Sequence, residues 1–175
     1  MFEENFKVTV KGIAPLLANR FSFMENDGRV GKIKDPKIEC ETTVYKTKEG
    51  LLYQPAEHFE ASMTKAATNF KIPGQGKKSF KDAFKGGIFV EPLEIIHKIQ
   101  KWEPDIRPVV IQRARVPKGR AKFVEWELEF TIKNIDERIS GAILKQILEE
   151  AGRYFGVGDY RPKFGRFEVI NFEKV

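Results

Sequence analysis

The sequence contains one cysteine, Cys40, and two histidines among 175 residues. A lone thiol excludes a disulfide scaffold and an all-thiolate zinc site, and two histidines exclude a histidine-rich metal cluster. No apolar run approaches the ~18 residues that a membrane-spanning helix needs. The N-terminal MFEENFKVTV resembles neither a signal peptide nor a basic transit peptide. We therefore expect one ordered domain over residues 1–175, in the cytoplasm, without membrane contact, metal or other cofactor.

Positive charge is in modest excess and is concentrated in three segments. Lysine and arginine number 31 against 25 acidic residues, which gives a net charge of +6. Residues 107–122 contain six basic side chains and no acidic one, and further basic clusters lie at 71–85 and 153–166. Such clusters are either solvated surface or a polyanion site assembled from separate segments.

Hydrophobic periodicity predicts strands and two amphipathic helices. Residues 5–12 and 122–132 alternate between apolar and polar side chains, as half-buried strands do. Apolar residues recur at helical spacing in 55–70 and 140–155, and Ser140 is a suitable N-cap for the second helix. Three further strands are expected at 88–96, 106–116 and 166–172.

Two stretches, at 24–38 and 72–87, are rich in turn-forming and charged residues and show no hydrophobic periodicity. We expect exposed loops there. Between the strands at 106–116 and 122–132, Pro117-Lys118-Gly119-Arg120 is expected to form a hairpin tip that bears two cations.

The order strand, helix, strands, helix, strand is that of a split βαβ fold. We expect an α+β fold of the ferredoxin-like or RRM-like βαββαβ type. Its antiparallel sheet would carry both helices on one face and have an added β-hairpin or loop insertion. Trp126 should then be largely buried, and residues 71–105 are a candidate insertion.

A glycine-rich segment follows the second helix and holds the most informative motif. Gly156, Gly158 and Gly165 permit positive φ angles and close backbone approach, and Tyr160 and Arg161 lie between them. The segment lacks the Gly-Lys-Ser/Thr of a Walker loop, and no strand precedes it as in a Rossmann loop. It is either a simple helix-ending loop or part of a binding site in which rings stack on bases and cations meet phosphates.

The segment FGVGDYRPKFGRFEV resembles the helix, glycine-rich loop and strand that end the RAMP superfamily of CRISPR-associated proteins, above all the repeated subunits that coat crRNA. VPKGRAKFVEWELEF resembles the Pro-x-Gly turn and alternating strand of that family, and LLYQPAEHFEASMTKAA resembles its strand, proline and first helix. The opening KVTVKGIAPLL also fits. The resemblance covers roughly half the chain, in the family's order.

The resemblance implies a non-catalytic protein of antiviral defence that binds RNA along its backbone with little sequence preference. The partners would be RNA, with crRNA as one candidate, or another single-stranded nucleic acid, together with other subunits of a ribonucleoprotein or further copies of the chain. The residues expected to contact nucleic acid are Lys65, Arg113, Arg115, Lys118, Arg120, Arg153, Gly156, Gly158, Tyr160, Arg161, Lys163 and Arg166.

Two other functions stay open. The crRNA-processing branch of the superfamily cleaves RNA without metal, using a histidine with a nearby tyrosine and lysine, and Tyr53, His58 and Lys65 are a candidate set for that chemistry. A viral structural or interaction protein on the same fold is the other alternative. His97 and Cys40 are expected to be structural and unreactive.

Overall fold

The structure is a computed structural model that describes residues 1–21 and 35–175. Its strands are β1 (Glu4–Gly12), β2 (Leu16–Ala18), β3 (Tyr53–Pro55), β4 (Ile88–Glu91), β5 (Glu94–Ile96), β6 (Glu103–Ile111), β7 (Ala114–Phe123), β8 (Glu127–Asn134) and β9 (Phe167–Lys174). Its helices are α1 (Pro36–Thr42), α2 (Ala56–Ala66), α3 (Lys81–Gly87) and α4 (Gly141–Glu150). A 3₁₀ turn, Ala67–Asn69, follows α2, and a π-helical turn, Ala151–Phe155, follows α4.

The central sheet is antiparallel with strand order β4-β8-β1-β9. Its register places Val8 opposite Phe130 on one side and opposite Phe172 on the other. Along the chain these strands alternate with two helices as β1-α2-β4-β8-α4-β9, which is the split βαβ arrangement. The expected α+β, ferredoxin-like fold is therefore confirmed.

Both main helices cover the same face of this sheet. The ring of Phe59 on α2 lies 4.6 Å from that of Phe130 on β8, and Leu148 on α4 joins the same buried cluster. The opposite face is polar and exposed to solvent, since Lys7 Nζ and Glu129 Oε1 form an exposed ion pair there at 3.2 Å. The apolar stripe of each helix and the single apolar face of each strand explain this arrangement.

Trp126 is 1% exposed, as the sequence predicts. Its indole N–H donates a hydrogen bond of 2.8 Å to the carbonyl oxygen of Ala14. The ring lies against Gly12, where a Cβ would come within 2.2 Å of the indole nitrogen. The tryptophan therefore fixes the end of β1 to the turn before β8.

Two groups of elements are added to the βαββαβ unit. β2, α1 and β3 lie between β1 and α2, whereas β5, β6 and β7 lie between β4 and β8. β2, β7 and β6 form a second antiparallel sheet, and β3 pairs with β5. Residues 71–105 accordingly hold α3, the edge strand β4 of the central sheet, β5 and the first residues of β6.

The expected hairpin tip at 117–120 is wrong. Pro117 and Lys118 lie inside β7, paired with Pro108 and Arg107 of β6. The chain turns instead at Gln112 and Arg113, inside the single strand expected at 106–116, and their φ angles of 49° and 67° suit a tight hairpin turn. Because neither residue is glycine, the amino-acid composition gives no signal for such a turn.

The single strands expected at 122–132 and 88–96 are each divided. β7 ends at Phe123, β8 begins at Glu127, and Val124 between them is 52% exposed. The segment 88–96 forms β4 and β5, which belong to different sheets. In both cases the apolar alternation continues through a corner of the chain, so periodicity alone does not show the break.

Both predicted loops include a helix. Residues 24–34 of the first lie outside the described residues, but α1 begins at Pro36 and is capped by the carboxylate of Asp35, which accepts a 2.9 Å hydrogen bond from the backbone N–H of Lys37. In the second, α3 buries Phe84, although its neighbours in the sequence are mostly lysines and glycines. Both segments have the composition of a loop. In such a sequence, neither an Asp-Pro helix start nor a short helix with one buried turn stands out.

Candidate nucleic-acid interface

The glycine-rich segment, residues 156–166, folds back on itself and is bonded to the strand β2 and the residue before it. The backbone N–H of Val157 donates to the carbonyl of Gly165 at 2.9 Å, and that of Gly165 donates to Pro15 at 2.7 Å. The N–H of Asp159 donates to the carbonyl of Leu17 at 2.8 Å. The segment is therefore a well-anchored loop between α4 and β9.

The glycines in this loop are required by the protein's own packing. Gly158 has a φ of +81°, and a Cβ there would lie 2.6 Å from the carbonyl oxygen of Leu17. At Gly165 a Cβ would lie 1.7 Å from the carbonyl oxygen of Val157. The close approach that these glycines permit is thus to the chain itself, and a contact of Gly156 or Gly158 with RNA stays a prediction.

A cleft of about 420 Å³, the cationic cleft, lies between α2 and the glycine-rich segment. The ammonium of Lys65 lies 5.8 Å from the ring centroid of Phe155. Among the described residues, neither Lys65 nor Arg161 forms an ion pair with a carboxylate. Tyr154 and Tyr160 also line the cleft and are 55% and 52% exposed. Two uncompensated cations and two available rings therefore share one surface.

A smaller cleft of about 140 Å³, the polar cleft, adjoins it and shares Gly158 and Asp159 with it. Gln54 Nε2 lies 2.6 Å from His58 Nδ1, and the rings of Tyr45 and His58 are nearly perpendicular with 5.7 Å between their centroids. The other lining residues are Leu17, Ala18 and Asn19. The polar cleft thus gathers Asn19 from just after β2, Gln54 from β3, His58 from α2 and Tyr45 from the connection before β3, beside the carboxylate of Asp159.

The environment of His58 disfavours the charged form of its imidazole. Burial lowers its pKa below the ordinary value, and the charge of Arg161 lowers the pKa further against the opposing effect of Glu57. The 2.6 Å contact with the Gln54 amide occupies Nδ1 and leaves Nε2 as the ring nitrogen that can bond to a ligand. Burial thus disfavours a positive charge on His58, and its Nε2 can serve either as a donor or as an acceptor.

Lys118 and Arg120 are already bound to carboxylates. Lys118 forms an ion pair with Glu39 of α1, and that carboxylate also accepts the backbone N–H of Gly119 at 2.8 Å. The guanidinium of Arg120 donates to the carboxylate of Asp159, which fastens the glycine-rich segment to β7. Both cations stabilise the fold, and their contact with nucleic acid stays a prediction.

The other predicted cations lie apart from the cationic cleft or at its margin. Arg113 and Arg115 are exposed at the tip of the β6–β7 hairpin. Arg153 lines a separate cleft together with Glu149, Glu150 and Glu168. Lys163 is exposed, and Arg166 is half-buried. Of the residues proposed from the sequence, the structure brings together Lys65, Gly158, Tyr160 and Arg161.

The candidate set Tyr53, His58 and Lys65 is divided between β3, which holds Tyr53, and two separate turns of α2. Lys65 follows His58 by seven residues, about 10 Å along a helix axis, and lies in the cationic cleft while His58 lies in the polar cleft. Tyr53 is near Tyr45, with 5.6 Å between ring centroids. The cation whose charge acts on His58 is Arg161.

Several residues of this region escape sequence reasoning. Gln54 contacts His58 although it lies in β3, before α2 begins at Ala56, so the helical i, i+4 rule does not predict this contact. Asn19 and Tyr45 come from connections with no local pattern, so only the fold brings them to the polar cleft. Arg107 belongs to the basic segment 107–122. Its guanidinium carbon lies 4.8 Å from the ring centroid of Phe164, so it packs on the glycine-rich segment.

The expectation that Cys40 is unreactive agrees with its environment. Its thiol is fully buried in α1, and burial raises its pKa above the ordinary value. His97 is likewise buried. Within residues 1–21 and 35–175, no three His, Cys, Asp or Glu side chains cluster closely enough to hold a metal ion, and no helix is long and apolar enough to cross a membrane.

Comparison with known proteins gives a match at the level of structure. No protein-family model and no curated protein matches the chain. A chain of the Type III-B Cmr-beta structure, solved by cryo-EM bound to cognate target RNA, matches 99% of this chain with a TM-score of 0.60 and 13% identity. This chain spans 61% of that chain's length. Cmr6 from Pyrococcus furiosus matches 96% of this chain and 99% of its own, with a TM-score of 0.52 and 12% identity. The chain therefore shares its fold with these two solved structures, which confirms the fold that the sequence resemblance implies.

Proposed function

We propose that this chain is a non-catalytic RNA-binding protein of the CRISPR RAMP backbone type, which binds RNA largely without sequence preference. The observation that carries the proposal is the cationic cleft, where uncompensated Lys65 and Arg161 lie beside exposed Tyr154 and Tyr160. Cations that meet phosphates and rings that stack on any base are the elements of sequence-tolerant single-strand binding. One of the similar structures is bound to target RNA, which supports the same conclusion.

The β6–β7 hairpin extends the proposed surface. Arg113 and Arg115 at its tip are exposed cations that can reach phosphates beyond the cleft. One side of β6 exposes Ile106 and Val110, with 44% and 70% of their surface accessible. Exposed apolar side chains on a basic hairpin favour a protein neighbour in addition to RNA. We infer that the chain works within a ribonucleoprotein, with crRNA as the candidate nucleic acid.

A salt titration tests the proposal. Binding of a fluorescent single-stranded RNA of mixed sequence is measured between about 50 and 200 mM salt, where a phosphate-binding protein loses affinity steeply. The double variant Lys65→Ala/Arg161→Ala should flatten the slope by about two. The control Lys85→Ala/Lys145→Ala removes the same charge from exposed positions on α3 and α4 and should leave the slope unchanged.

Equal losses in both double variants would mean that binding is spread over the surface and would contradict a site at the cationic cleft. Failure of the wild type to bind RNA at any salt concentration would favour the interaction protein on the same fold.

A metal-independent endoribonuclease is the second candidate, because His58 and Arg161 line adjoining clefts and the charge of Arg161 lowers the pKa of the imidazole. A neutral imidazole can take the 2′-hydroxyl proton, and a guanidinium can stabilise the charge of the transition state. Labelled RNA incubated with the protein in EDTA decides between the two functions. Cleavage that falls by about 10²–10⁴-fold in His58→Ala would establish the nuclease. An uncut substrate with tight binding would establish the binding protein.

A further inference from the structure

The cationic cleft contains one negative charge, the carboxylate of Asp159, in the same wall as the cation Arg161. A carboxylate repels the phosphates that Lys65 and Arg161 attract. It does not serve to balance these two cations, since within residues 1–21 and 35–175 its ion-pair partner is Arg120 of β7. Asp159 therefore lowers the affinity of the cleft for phosphate unless it bonds to another part of the ligand.

The bond to Arg120 leaves part of the Asp159 carboxylate available. Arg120 Nε donates to Asp159 Oδ2, and the Asp159 side chain is still 33% exposed. No other group in the described part of the chain forms a hydrogen bond with this carboxylate. Its two oxygens together offer about four acceptor positions. The carboxylate can therefore accept a further hydrogen bond from a ligand in the cleft.

The chemistry of a nucleic acid limits which group can make that bond. An ionised carboxylate only accepts, so its partner must be a donor, and phosphate oxygens are acceptors. In a strand that is bound without regard to sequence, the donor must also be the same at every nucleotide, which excludes the N–H groups of the bases. Within a strand, the ribose 2′-hydroxyl meets both conditions, and deoxyribose lacks it.

The neighbours of Asp159 in the cationic cleft fit the remainder of a nucleotide. Lys65 and Arg161 are suited to phosphates, and the rings of Tyr154 and Tyr160 are suited to bases. The sugar joins phosphate to base, so a strand held by these groups places its sugars between the cations and the rings. A carboxylate in the wall of the same cleft is then available to a 2′-hydroxyl.

We propose that Asp159 makes the cationic cleft selective for RNA over DNA by accepting a hydrogen bond from a ribose 2′-hydroxyl. The inference rests on the proposed RNA-binding function and names the sugar as the part of the strand that the cleft distinguishes. The charge of Asp159 disfavours both nucleic acids, whereas its hydrogen bond favours RNA alone. Arg120 is a positioning residue, because it holds the carboxylate through Oδ2.

The first experiment uses the wild-type protein and three uridine oligomers of equal length, with ribose, deoxyribose or 2′-fluoro sugars. Base and phosphate are identical in all three, so differences in affinity come from the sugar. The ribose oligomer should bind about ten- to a hundredfold more tightly than the deoxyribose oligomer, the weight of a hydrogen bond to a charged group. The 2′-fluoro oligomer keeps the sugar pucker of RNA but cannot donate, so it should bind as weakly as the deoxyribose oligomer.

Asp159→Asn tests the carboxylate itself. The variant should bind the deoxyribose oligomer more tightly, because a negative charge leaves the cleft. It should lower the ratio of ribose to deoxyribose affinity by about threefold or more, since a neutral amide is the weaker acceptor. The matched control Glu168→Gln removes the same charge from an exposed position on β9, outside the cationic cleft, and should leave the ratio unchanged. Thermal unfolding is recorded for both variants, because Asp159 also binds Arg120.

Equal affinity for the ribose and deoxyribose oligomers, or a 2′-fluoro oligomer that binds like RNA, would overturn the role of Asp159 and leave nucleic-acid binding by the cleft standing. These outcomes are read from the wild-type protein and do not depend on how the variants fold. A folded Asp159→Asn protein with the wild-type ratio would show that another group recognises the sugar. Absence of binding to every oligomer would overturn both this inference and the proposed function.

Discussion

The hydroxyl of Ser62 on α2 donates a buried hydrogen bond of 2.8 Å to the carbonyl oxygen of Gly156, 94 residues further along the chain. This bond fastens the first main helix to the start of the glycine-rich segment. Lys65 lies one turn after Ser62, and Arg161 lies five residues after Gly156, so the bond sets the two walls of the cationic cleft against one another. The cleft is therefore assembled by a contact between the two helical halves of the fold.

Ser62→Ala should destabilise the protein by about 1–3 kcal/mol, because the Gly156 carbonyl would be left buried without its partner. RNA affinity at low salt should fall as well, since the two walls of the cleft lose their link. Urea unfolding measures the stability. Thr68→Ala is the control, because its hydroxyl is exposed and its loss should change stability by less than about 0.5 kcal/mol. A Ser62 variant as stable as this control would contradict the role of the bond.

Gly158→Val should impair folding, because the new side chain would meet the carbonyl of Leu17 and would require a φ of +81° from a β-branched residue. The conformational strain alone costs about 1–3 kcal/mol, and the clash adds to it. Gly86→Ala is the control of opposite sign: it lies in α3 with open space around it and should stabilise by about 0.5–1 kcal/mol. Thermal unfolding of both variants checks the pair, and a Gly158 variant of normal stability would contradict the packing argument.

The elements that could be predicted from the sequence are those whose signal is local. Phe6, Val8 and Val10 alternate along β1, and Ser140 accepts the backbone N–H of Ile143 as the expected N-cap of α4. One buried face per element then leaves few ways to assemble a sheet with two helices, so the fold follows.

The candidate site could be predicted only in part. Arg161 and Tyr160 stand in a motif that is visible in the sequence, but Lys65 reaches the same cleft through the Ser62–Gly156 bond, which joins distant segments. The role of Arg120 depends on Asp159, 39 residues away, so a basic cluster in the sequence does not show which of its cations are free. Tertiary contacts decide which cations are free, and such contacts produce no periodic pattern in the sequence.

Arg120→Ala and Arg161→Ala should separate stability from binding. Arg120 is mostly buried and bound to Asp159, so its loss should cost about 1.5–3 kcal/mol of stability, the weight of a hydrogen bond between charged groups. Arg161 is exposed and has no carboxylate partner among the described residues, so its loss should leave stability unchanged and cost about 1–3 kcal/mol of RNA affinity. Denaturant unfolding and RNA titration of both variants test the contrast. Lost stability with unchanged affinity in Arg161→Ala would remove it from the binding site.

Arg113→Ala/Arg115→Ala should weaken binding equally for RNAs of different sequence, because cations at an exposed hairpin tip meet phosphates and not base edges. The salt slope should flatten by about two if both side chains contact the backbone. Neither arginine pairs with the acidic row on β8, since Glu127 and Glu129 bind Lys98 and Lys7 in the described residues. Affinity and slope equal to those of wild type would show that the hairpin tip stays away from the RNA.

His97 should make the protein sensitive to acid. Its ring is 1% exposed, stacks on Phe123 at 4.3 Å, and has no hydrogen-bond partner at either nitrogen within the described structure. Burial lowers its pKa from 6.5 to about 4, because the charged imidazolium would be poorly solvated there.

As pH falls below 6.5, the unfolded chain binds the His97 proton before the folded chain does. The contribution of His97 is therefore intact above pH 6.5 and is lost progressively down to pH 4, by roughly 3 kcal/mol. His97→Leu keeps a buried apolar side chain and removes the titrating group, so its stability should fall less than that of wild type between pH 6.5 and pH 4. Urea unfolding of both proteins across this range provides the measurement, and carboxylates contribute equally to both curves. Parallel curves would mean that the folded protein binds the His97 proton as readily as the unfolded chain, which contradicts a dry, unpartnered imidazole.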